Sequence, residues 1–196
     1  MAVIHHTTIK PTKLELLTSW LPTRSWYSGG DGPELVKSGG FRLDDPEGEV
    51  GIEFMAVTDV SGTDSVAYLV PMTYRGAPLD GAEDALIGTM EHGVLGRRWV
   101  YDACHDPVAV AQLLALIEGK VQAQAQSTSD TEDRDVARSY DGAELDPEGL
   151  RVSRVLQPDT EPDSGATGHV VSWWQTPDGD RVRGVFAAVY PGSTTR

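Results

Sequence analysis

The sequence predicts an α+β fold, in which an antiparallel β-sheet packs on a long helix and a further β-rich part follows towards the C-terminus. Two pairs of segments with alternating apolar residues are each joined by a short turn, a pattern typical of β-hairpins. Residues 108–117 are apolar at every position except Gln112 and follow the helix-starting pair Asp106-Pro107. Helix, hairpin, helix and a second β-rich piece in this order indicate the α+β class.

The first predicted element is a short amphipathic helix over residues 12–21. Leu14, Leu17 and Leu21 recur at helical spacing. Thr12 is the expected N-cap and is followed three residues later by Glu15, which is the pattern of a capping box. Proline at position 22 is expected to end the helix.

Two hairpin strands are predicted over residues 49–58 and 65–75. Each alternates apolar side chains, and a turn containing Ser61-Gly62 lies between them. Proline cannot donate a hydrogen bond to a neighbouring strand, so Pro71 predicts that its strand lies at an edge or carries a bulge.

The segment that follows gives a mixed signal. Ala82, Leu86 and Met90 indicate one or two helical turns within residues 80–91, and residues 94–101 favour a short strand. The apolar helix begins after the N-cap Asp106, and we expect it to be buried against a sheet and to continue through residues 122–126.

The C-terminal third alternates polar loops and strands. Residues 127–135 are predicted to be an acidic linker, and residues 139–149 and 157–168 to be loops. Strands are expected at 150–156, 168–175 and 181–190, with Asp178-Gly179 in the hairpin turn between the last two. The predicted organisation is a first domain over 1–126, an acidic linker or loop over 127–149, and a β-rich part over 150–196 that packs on the first.

Charge and composition narrow the classes of partner. The chain has 196 residues and a formal net charge of -14. Such a surface repels phosphate backbones and anionic lipids, so we expect neither nucleic acid nor membrane as a partner. Cys104 is the single cysteine, no apolar run approaches the roughly 18 residues of a membrane span, and the N-terminus lacks a secretory signal pattern. A cytoplasmic location is therefore expected.

The motifs of common enzymes are not found in the sequence. Gly29-Gly30-Asp31-Gly32 lacks the spacing of a phosphate-binding or dinucleotide-binding loop and is interpreted as a flexible turn. His105 with Asp102 and Asp106 matches no metal-ligand spacing, and the thiol at position 104 has no base expected to point at it. We therefore expect no catalytic residue, cofactor or metal site, and a role other than catalysis is favoured.

Four aromatic residues form the candidate ligand or partner surface: Trp26, Tyr27, Trp173 and Trp174. Adjacent residues of a strand face opposite sides, so one ring of Trp173-Trp174 should be buried and the other displayed. A displayed tryptophan can stack on a sugar or anchor a partner protein. The alternative is a ring half-covered by a neighbouring loop.

Two segments resemble the N-terminal cap domain of bacterial maltokinases. Residues 16–30, Leu-Leu-Thr-Ser-Trp-Leu-Pro-Thr-Arg-Ser-Trp-Tyr-Ser-Gly-Gly, resemble its opening helix and aromatic-glycine stretch. Residues 87–117 resemble a later part, with Trp-Val-Tyr-Asp-Ala-Cys-His-Asp-Pro before the apolar helix. In that family the cap precedes an aminoglycoside-phosphotransferase-like kinase, and the resemblance implies a cystatin-like α+β fold. Here Gly30-Asp31 replaces the family's basic residue, and no kinase catalytic loop follows.

Two functions from different classes follow from these observations. The resemblance implies a non-catalytic cap-like protein that binds or regulates an enzyme of cytoplasmic α-glucan, maltose or trehalose metabolism. The alternative is a carbohydrate-binding module that stacks its exposed tryptophans on a glucan. An enzyme with an unrecognised carboxylate pair is ranked last, and an exposed edge strand would allow a homodimer.

Overall fold

A computed structural model describes residues 9–128 and 130–192 of the chain. Its regular elements are antiparallel strands and two α-helices. The strands are β1 (Ile9–Lys10), β2 (Leu35–Leu43), β3 (Gly51–Asp59), β4 (Val66–Arg75), β5 (Leu86–His92), β6 (Gly96–Asp102), β7 (Ala137–Tyr140), β8 (Leu150–Val152), β9 (Gly168–Gln175) and β10 (Arg181–Val189). The helices are α1 (Lys13–Trp20) and α2 (Pro107–Glu118). The predicted α+β class with antiparallel sheet is confirmed.

All the strands belong to one sheet, with the order β1-β5-β6-β4-β3-β2-β9-β10-β8 and β7 paired to β9. The two predicted hairpins are present as β3–β4 and β9–β10, and a third hairpin joins β5 to β6. The C-terminal strands join the N-terminal ones where Gly39 of β2 pairs with Trp174 of β9. Strands from both ends of the chain therefore share one hydrogen-bonded surface.

The sheet also closes on itself at β4. β8 pairs with β10, and the chain after β8 continues alongside the first half of β4. Backbone hydrogen bonds of 3.0 Å from Leu69 to Arg154 and of 2.8 Å from Leu156 to Ala67 make this junction. The second half of β4 pairs instead with β6. The curved sheet therefore has an enclosed side and an outer side.

The enclosed side holds the larger core, and α2 packs into it. Its buried residues come from α2 and from both ends of the sheet, and they include Phe41, Leu43, Ile52, Phe54, Leu69, Leu113, Ile117, Val170, Trp174, Phe186 and Val189. The second core lies under α1, on the opposite face of β3 and β4, and includes Leu17, Trp20, Leu21, Met55, Val57, Tyr68, Val70, Met72 and Val100. The central strands are therefore covered on both faces, which explains why they are almost wholly apolar.

The capping box predicted for α1 is confirmed. The Thr12 side chain accepts from the backbone N–H of Glu15 at 3.2 Å, and the Glu15 carboxylate accepts from the backbone N–H of Thr12 at 2.6 Å. Pro22 lies in the 3₁₀ turn that follows the helix, close to its predicted end.

The helix α2 begins as predicted but is shorter than expected. The Asp106 side chain accepts from the backbone N–H of Val108, and Pro107 occupies the first turn. The helix ends after 12 residues because Gly119 adopts a left-handed conformation with φ of 79°. The predicted continuation through residues 122–126 is wrong, since that segment is extended and Gln124 bridges to Arg42 of β2.

Strand β2 was not predicted from the sequence. Its apolar alternation is interrupted by Gly39 and Gly40, and the pairing with β3 shifts register at the same place. A side chain at Gly39 would meet the Trp173 carbonyl oxygen at 2.9 Å, and Gly40 has a φ of 116° with the Phe54 carbonyl beside it. The close approach of the β3 and β9 backbones therefore requires glycine at these two positions, and the glycines interrupt the apolar pattern that would have predicted the strand.

Two further predictions differ from the structure. Of the helical turns predicted within residues 80–91, the structure has a 3₁₀ turn over Glu83–Ala85, whereas Leu86–His92 form strand β5 with a bulge near Gly88. Pro71 lies on a central strand rather than at an edge. N–H groups alternate between the two sides of a strand, so the N–H that Pro71 lacks would point to the same side as the N–H of Leu69. On that side the neighbour of β4 changes from residues 154–156 to β6.

The predicted acidic linker folds back on the segment before it. The backbone of Ala125 donates to Thr131 at 2.8 Å, and that of Asp133 donates to Ala123 at 2.8 Å. Beyond it, β7 occupies part of the predicted loop 139–149. The proposed domain boundaries stay a prediction.

Candidate functional site

The aromatic-glycine loop that follows α1 is fastened to the outer side of the sheet. Its Tyr27 hydroxyl donates to the Asp59 carboxylate at 2.7 Å. Partial burial and the nearby Asp59 charge raise the pKa of Tyr27. The Ser28 backbone N–H donates to the Tyr68 hydroxyl at 3.2 Å, so two consecutive loop residues are tied to β3 and β4. The exposed glycines of residues 29–32 continue beyond this anchor.

Trp26 packs inward from the same loop and is only partly exposed. Its ring centroid lies 5.8 Å from that of Trp20 and 6.0 Å from that of Tyr68. The Arg154 guanidinium lies 5.2 Å from the ring centroid of Trp26. Trp26 therefore packs against the core under α1 and exposes only part of its ring to solvent.

The pair Trp173-Trp174 divides between the two sides of the sheet. Trp174 is 4% exposed and packs beside Phe186 in the enclosed core. It cannot contribute to a surface, so its inclusion in the candidate surface is corrected. Trp173 lies on the outer side and is partly exposed.

Two arginines of β10 lie on the same face of the hairpin as Trp173. Arg183 pairs directly with Trp173 across the hairpin. Arg181, two residues before Arg183 and on the same face, has its guanidinium 5.0 Å from the Trp173 ring centroid. Arg181 also pairs with Asp135 at 2.7 Å. We call Trp173, Arg181 and Arg183 the Trp173 face, because they share the outer side of one hairpin. The structure shows no contact between this face and Trp26 or Tyr27.

The polar residues before α2 have structural partners. Asp106 is fully buried, and Arg75 donates to both of its carboxylate oxygens at 2.7 Å. Asp102 accepts from the Cys104 backbone N–H at 3.2 Å and from Arg154 at 2.6 Å. These carboxylates cap helical turns and bind arginines, and among residues 9–128 and 130–192 no group of three or more metal-ligating side chains comes together.

The Cys104 thiol is not an activated nucleophile. Burial and the neighbouring Asp102 raise its pKa to about 12. A thiol with such a pKa carries almost no thiolate at neutral pH, and the thiolate is the reactive form.

The sequence analysis missed a buried carboxylate, Glu53 on β3. It is 2% exposed and receives hydrogen bonds from Lys13 at 2.6 Å, Tyr74 at 2.7 Å and Gln126 at 3.1 Å. Burial by itself would raise the pKa of Glu53, but the charge and hydrogen bond of Lys13 and the Tyr74 hydroxyl hold it below its usual value. Burial lowers the pKa of the nearby Lys37 and, together with Glu53, raises that of Tyr74.

Glu53 lies in the wall of a cleft with a volume of about 370 Å³, which we call the Glu53 cleft. The cleft lies on the same face of the sheet as α1. One signal of the site was present in the sequence, since Glu53 alternates with Met55 and Val57 on an otherwise apolar strand face. Its partners come from α1, β4 and the segment after α2, so no local pattern could identify them.

A comparison with known families finds one similarity, which lies in the N-terminal part of the chain. Residues 20–106 match the family model of the maltokinase N-terminal cap domain. The match confirms the resemblance over these residues, which are less than half of the chain. No curated protein matches the chain.

The matched cap-domain region has clear limits in the structure. It runs from Trp20 at the end of α1 to Asp106, the N-cap of α2, and contains β2 to β6. It includes Trp26, Tyr27 and Glu53, whereas the Trp173 face lies outside it. In the described ranges, no helix is long and apolar enough to cross a membrane.

Proposed function

We propose that this chain is a non-catalytic, cap-like protein that binds or regulates an enzyme of cytoplasmic α-glucan, maltose or trehalose metabolism. The observation that carries the proposal is the match of residues 20–106 to the maltokinase N-terminal cap domain. The name of that family relates the region to maltose phosphorylation, so we expect the partner to be an enzyme of the same metabolism.

The environment of the motif before α2 supports a role other than catalysis. The Asp106 carboxylate forms an ion pair with Arg75, and the Asp102 carboxylate forms one with Arg154. The raised pKa of Cys104 keeps its thiol protonated. The residues that looked most reactive in the sequence are therefore used to fix the fold.

We propose the Trp173 face as the surface that meets the partner. Tryptophan and arginine are enriched among the residues that dominate binding energy at protein interfaces. Trp173 is partly exposed with Arg183 opposite and Arg181 against its ring, in a chain of net charge -14. A partner with an acidic patch around an apolar pocket fits this face.

We also propose that residues 1–126 form a cystatin-like cap unit completed by the C-terminal strands. The supporting observation is that α2 packs on the curved sheet in a core to which Val170, Phe186 and Val189 contribute. The part over 150–196 would then pack on the first domain and fold with it.

The partner proposal is tested with the purified full chain and purified enzymes of the pathway. A maltose-phosphorylating kinase and other α-glucan enzymes are each mixed with the chain, and complexes are sought by size-exclusion chromatography with light scattering. We expect a complex with one of them, weakened by Trp173→Ala and unchanged by Val94→Ala, a matched change at a residue that is 61% exposed elsewhere. The absence of a complex with any of these enzymes would overturn the proposal.

The non-catalytic part has its own test. The chain is incubated with maltose and magnesium-ATP, and phosphorylated product is measured. Turnover of about one per second or more, a rate typical of enzymes, would contradict the proposal.

The Trp173 face also favours a second candidate function, which is glucan binding. A tryptophan on an open sheet face beside Arg183 and Gln175 offers a stacking surface with hydrogen-bonding groups near it. However, Arg181 already lies against the Trp173 ring, which reduces the area available to a sugar. Titration with maltooligosaccharides, followed by tryptophan fluorescence, separates the two functions: a saturable change that Trp173→Ala removes supports glucan binding, and no change at millimolar sugar rejects it.

A further inference from the structure

We propose that the Glu53 cleft binds a small phosphate ester of about monosaccharide size. This site is separate from the Trp173 face and goes beyond the proposed partner function. The proposal depends on two arginines in the cleft, on the acids beside them and on the size of the cleft.

Two guanidinium groups line the cleft without an acidic partner among the described residues. Arg42 donates from Nε to the Ala125 carbonyl at 3.0 Å, and its Nη2 is buried with no hydrogen-bond acceptor in the described structure. Arg98 donates from Nη2 to the Leu95 carbonyl at 3.1 Å, and its Nε is buried and likewise lacks an acceptor there. Each guanidinium carries five N–H donors, and neither is held by a carboxylate of the described residues, so both can bind an anion that enters the cleft.

Strand register brings the two arginines to one face. Arg42 on β2 lies opposite Glu53 on β3, and Tyr74 on β4 lies opposite Val100 on β6. Arg98 is two residues from Val100 on the same strand and therefore shares that face. The arginines reach the cleft from two separate strands.

The buried acids of the cleft are already engaged. Glu53 accepts from Lys13, Tyr74 and Gln126. Asp45 accepts three backbone N–H groups, from Glu47, Glu49 and Val50, at 2.9–3.1 Å. Glu49, the remaining acid in the wall, is exposed to solvent. In the described structure, none of these carboxylates therefore forms an ion pair with Arg42 or Arg98.

A phosphate group fits this arrangement better than a carboxylate does. One guanidinium is enough to hold a carboxylate through two parallel hydrogen bonds. Two guanidiniums from different strands match the several terminal oxygens and the charge of about -2 of a phosphate monoester.

The rest of the cleft fits the body of a small polar ester. Its volume of about 370 Å³ accommodates a molecule of monosaccharide size with some water. Lys13, Tyr74 and Gln126 offer polar atoms to hydroxyl groups on one side, and Ile9 and Met90 provide apolar wall. Larger phosphorylated chains would have to extend out of the cleft.

The test uses isothermal titration calorimetry on the full chain with three probes: glucose 6-phosphate, inorganic phosphate and glucose. We expect saturable binding of glucose 6-phosphate, weaker binding of inorganic phosphate, and affinity for glucose lower by about tenfold or more. Equal affinity for glucose and its phosphate, or no saturable binding of the ester, would overturn the proposal.

Two neighbouring arginines provide matched variants. Arg98→Gln should lower the affinity for the ester by about tenfold, because a charge-assisted contact is lost. Arg97→Gln, on the same strand but on the opposite face and paired with Glu91 at 2.8 Å, should leave the affinity unchanged. An equal loss in both variants would mean nonspecific attraction to positive charge and would also overturn the proposal.

A second variant, at Arg42, distinguishes loss of binding from loss of folding. Arg42→Lys keeps the positive charge but removes the planar fork that holds two oxygens, so we expect weaker binding of the ester with little change in thermal unfolding. Unchanged affinity in a folded Arg42→Lys variant would exclude Arg42 from the site and contradict the two-arginine arrangement.

Discussion

Arg75 and Asp106 join the centre of the sheet to the start of α2. Nε and Nη2 of Arg75 donate to the two carboxylate oxygens of Asp106, each at 2.7 Å, and the Asp106 side chain is 0% exposed. Asp106 also accepts from the Val108 backbone N–H at 3.0 Å. Burial by itself would raise the pKa of Asp106, but Arg75 and the helix N–H hold it below its usual value. One carboxylate therefore caps a helix and fixes where that helix begins on the sheet.

The first prediction concerns this pair. Asp106→Asn should lower the free energy of unfolding by about 3 kcal/mol, because it leaves a partly buried arginine without its counter-charge. Urea denaturation followed by circular dichroism measures the change. As a control, Glu91→Gln removes the exposed pair with Arg97, in which both side chains are more than 60% exposed, and should change stability by less than about 0.5 kcal/mol. Equal effects at the two positions would contradict the importance assigned to burial.

The second prediction is a loss of stability in acid. The folded-state pKa values of Glu53 and Asp106 lie below their ordinary values of 4.5 and 3.8. A depressed carboxyl pKa adds stability that is fully present above the ordinary value and is lost as the pH falls. The free energy of unfolding should therefore be level at neutral pH and decrease below about pH 4.5.

The variant Glu53→Gln tests which carboxyl is responsible. The variant should be less stable than the parent at pH 7, and the difference should shrink as the pH falls below 4.5, because Glu53 then takes up a proton more readily in the unfolded chain than in the folded one. Urea denaturation at several pH values measures both curves. A difference that stays constant with pH would show that the ionised form of Glu53 adds no stability.

The third prediction compares two adjacent tryptophans. Trp174→Ala should lower the free energy of unfolding by about 3–5 kcal/mol, because it opens a cavity beside Phe186 in the enclosed core. Trp173→Ala removes a partly exposed ring and its contact with Arg181, and should lower stability by about 1 kcal/mol or less. Thermal and urea unfolding of the two variants side by side make the comparison. Similar losses would mean that the strand does not separate the two rings as described.

The fourth prediction concerns thiol chemistry. With a pKa of about 12, Cys104 should react with iodoacetamide at pH 8 far more slowly than it does in the urea-unfolded chain. Mass spectrometry of the alkylated protein over time measures the two rates. If Cys104 were alkylated as fast in the folded protein as in the unfolded chain, its thiol would be accessible and of ordinary pKa. Cys104 would then again be a candidate reactive group.

Features set by local chemistry could be predicted from the sequence. The Thr12–Glu15 capping box and the Asp106-Pro107 helix start each need only residues a few positions apart. The hairpins β3–β4 and β9–β10 are encoded by alternating side chains around a turn. The cap-domain resemblance rested on two short segments, residues 16–30 and 87–117, and the family match bears it out over residues 20–106.

Features set by distant contacts could not be predicted in this way. β2 contains Gly39 and Gly40 because the backbones of β3 and β9 come close to it, and those strands are remote in sequence. β5 looked helical because Ala82, Leu86 and Met90 recur every four residues, but Ala82 precedes the strand and Leu86 is 38% exposed on it. The Glu53 cluster brings together Lys13, 40 residues before Glu53, and Gln126, 73 residues after it, around one carboxylate.

The sequence by itself determined the fold class, the starts of both helices, two of the hairpins and the resemblance of residues 20–106 to the maltokinase cap domain. These depend on propensity, capping and alternation, which act over a few residues. The tertiary structure alone decided that the sheet closes at β4, that Trp173 faces outward while Trp174 is buried, and that Glu53, Arg42 and Arg98 line one cleft. The reason is that strand register and sheet closure depend on which distant segments exclude water together, and no short window of sequence contains that information.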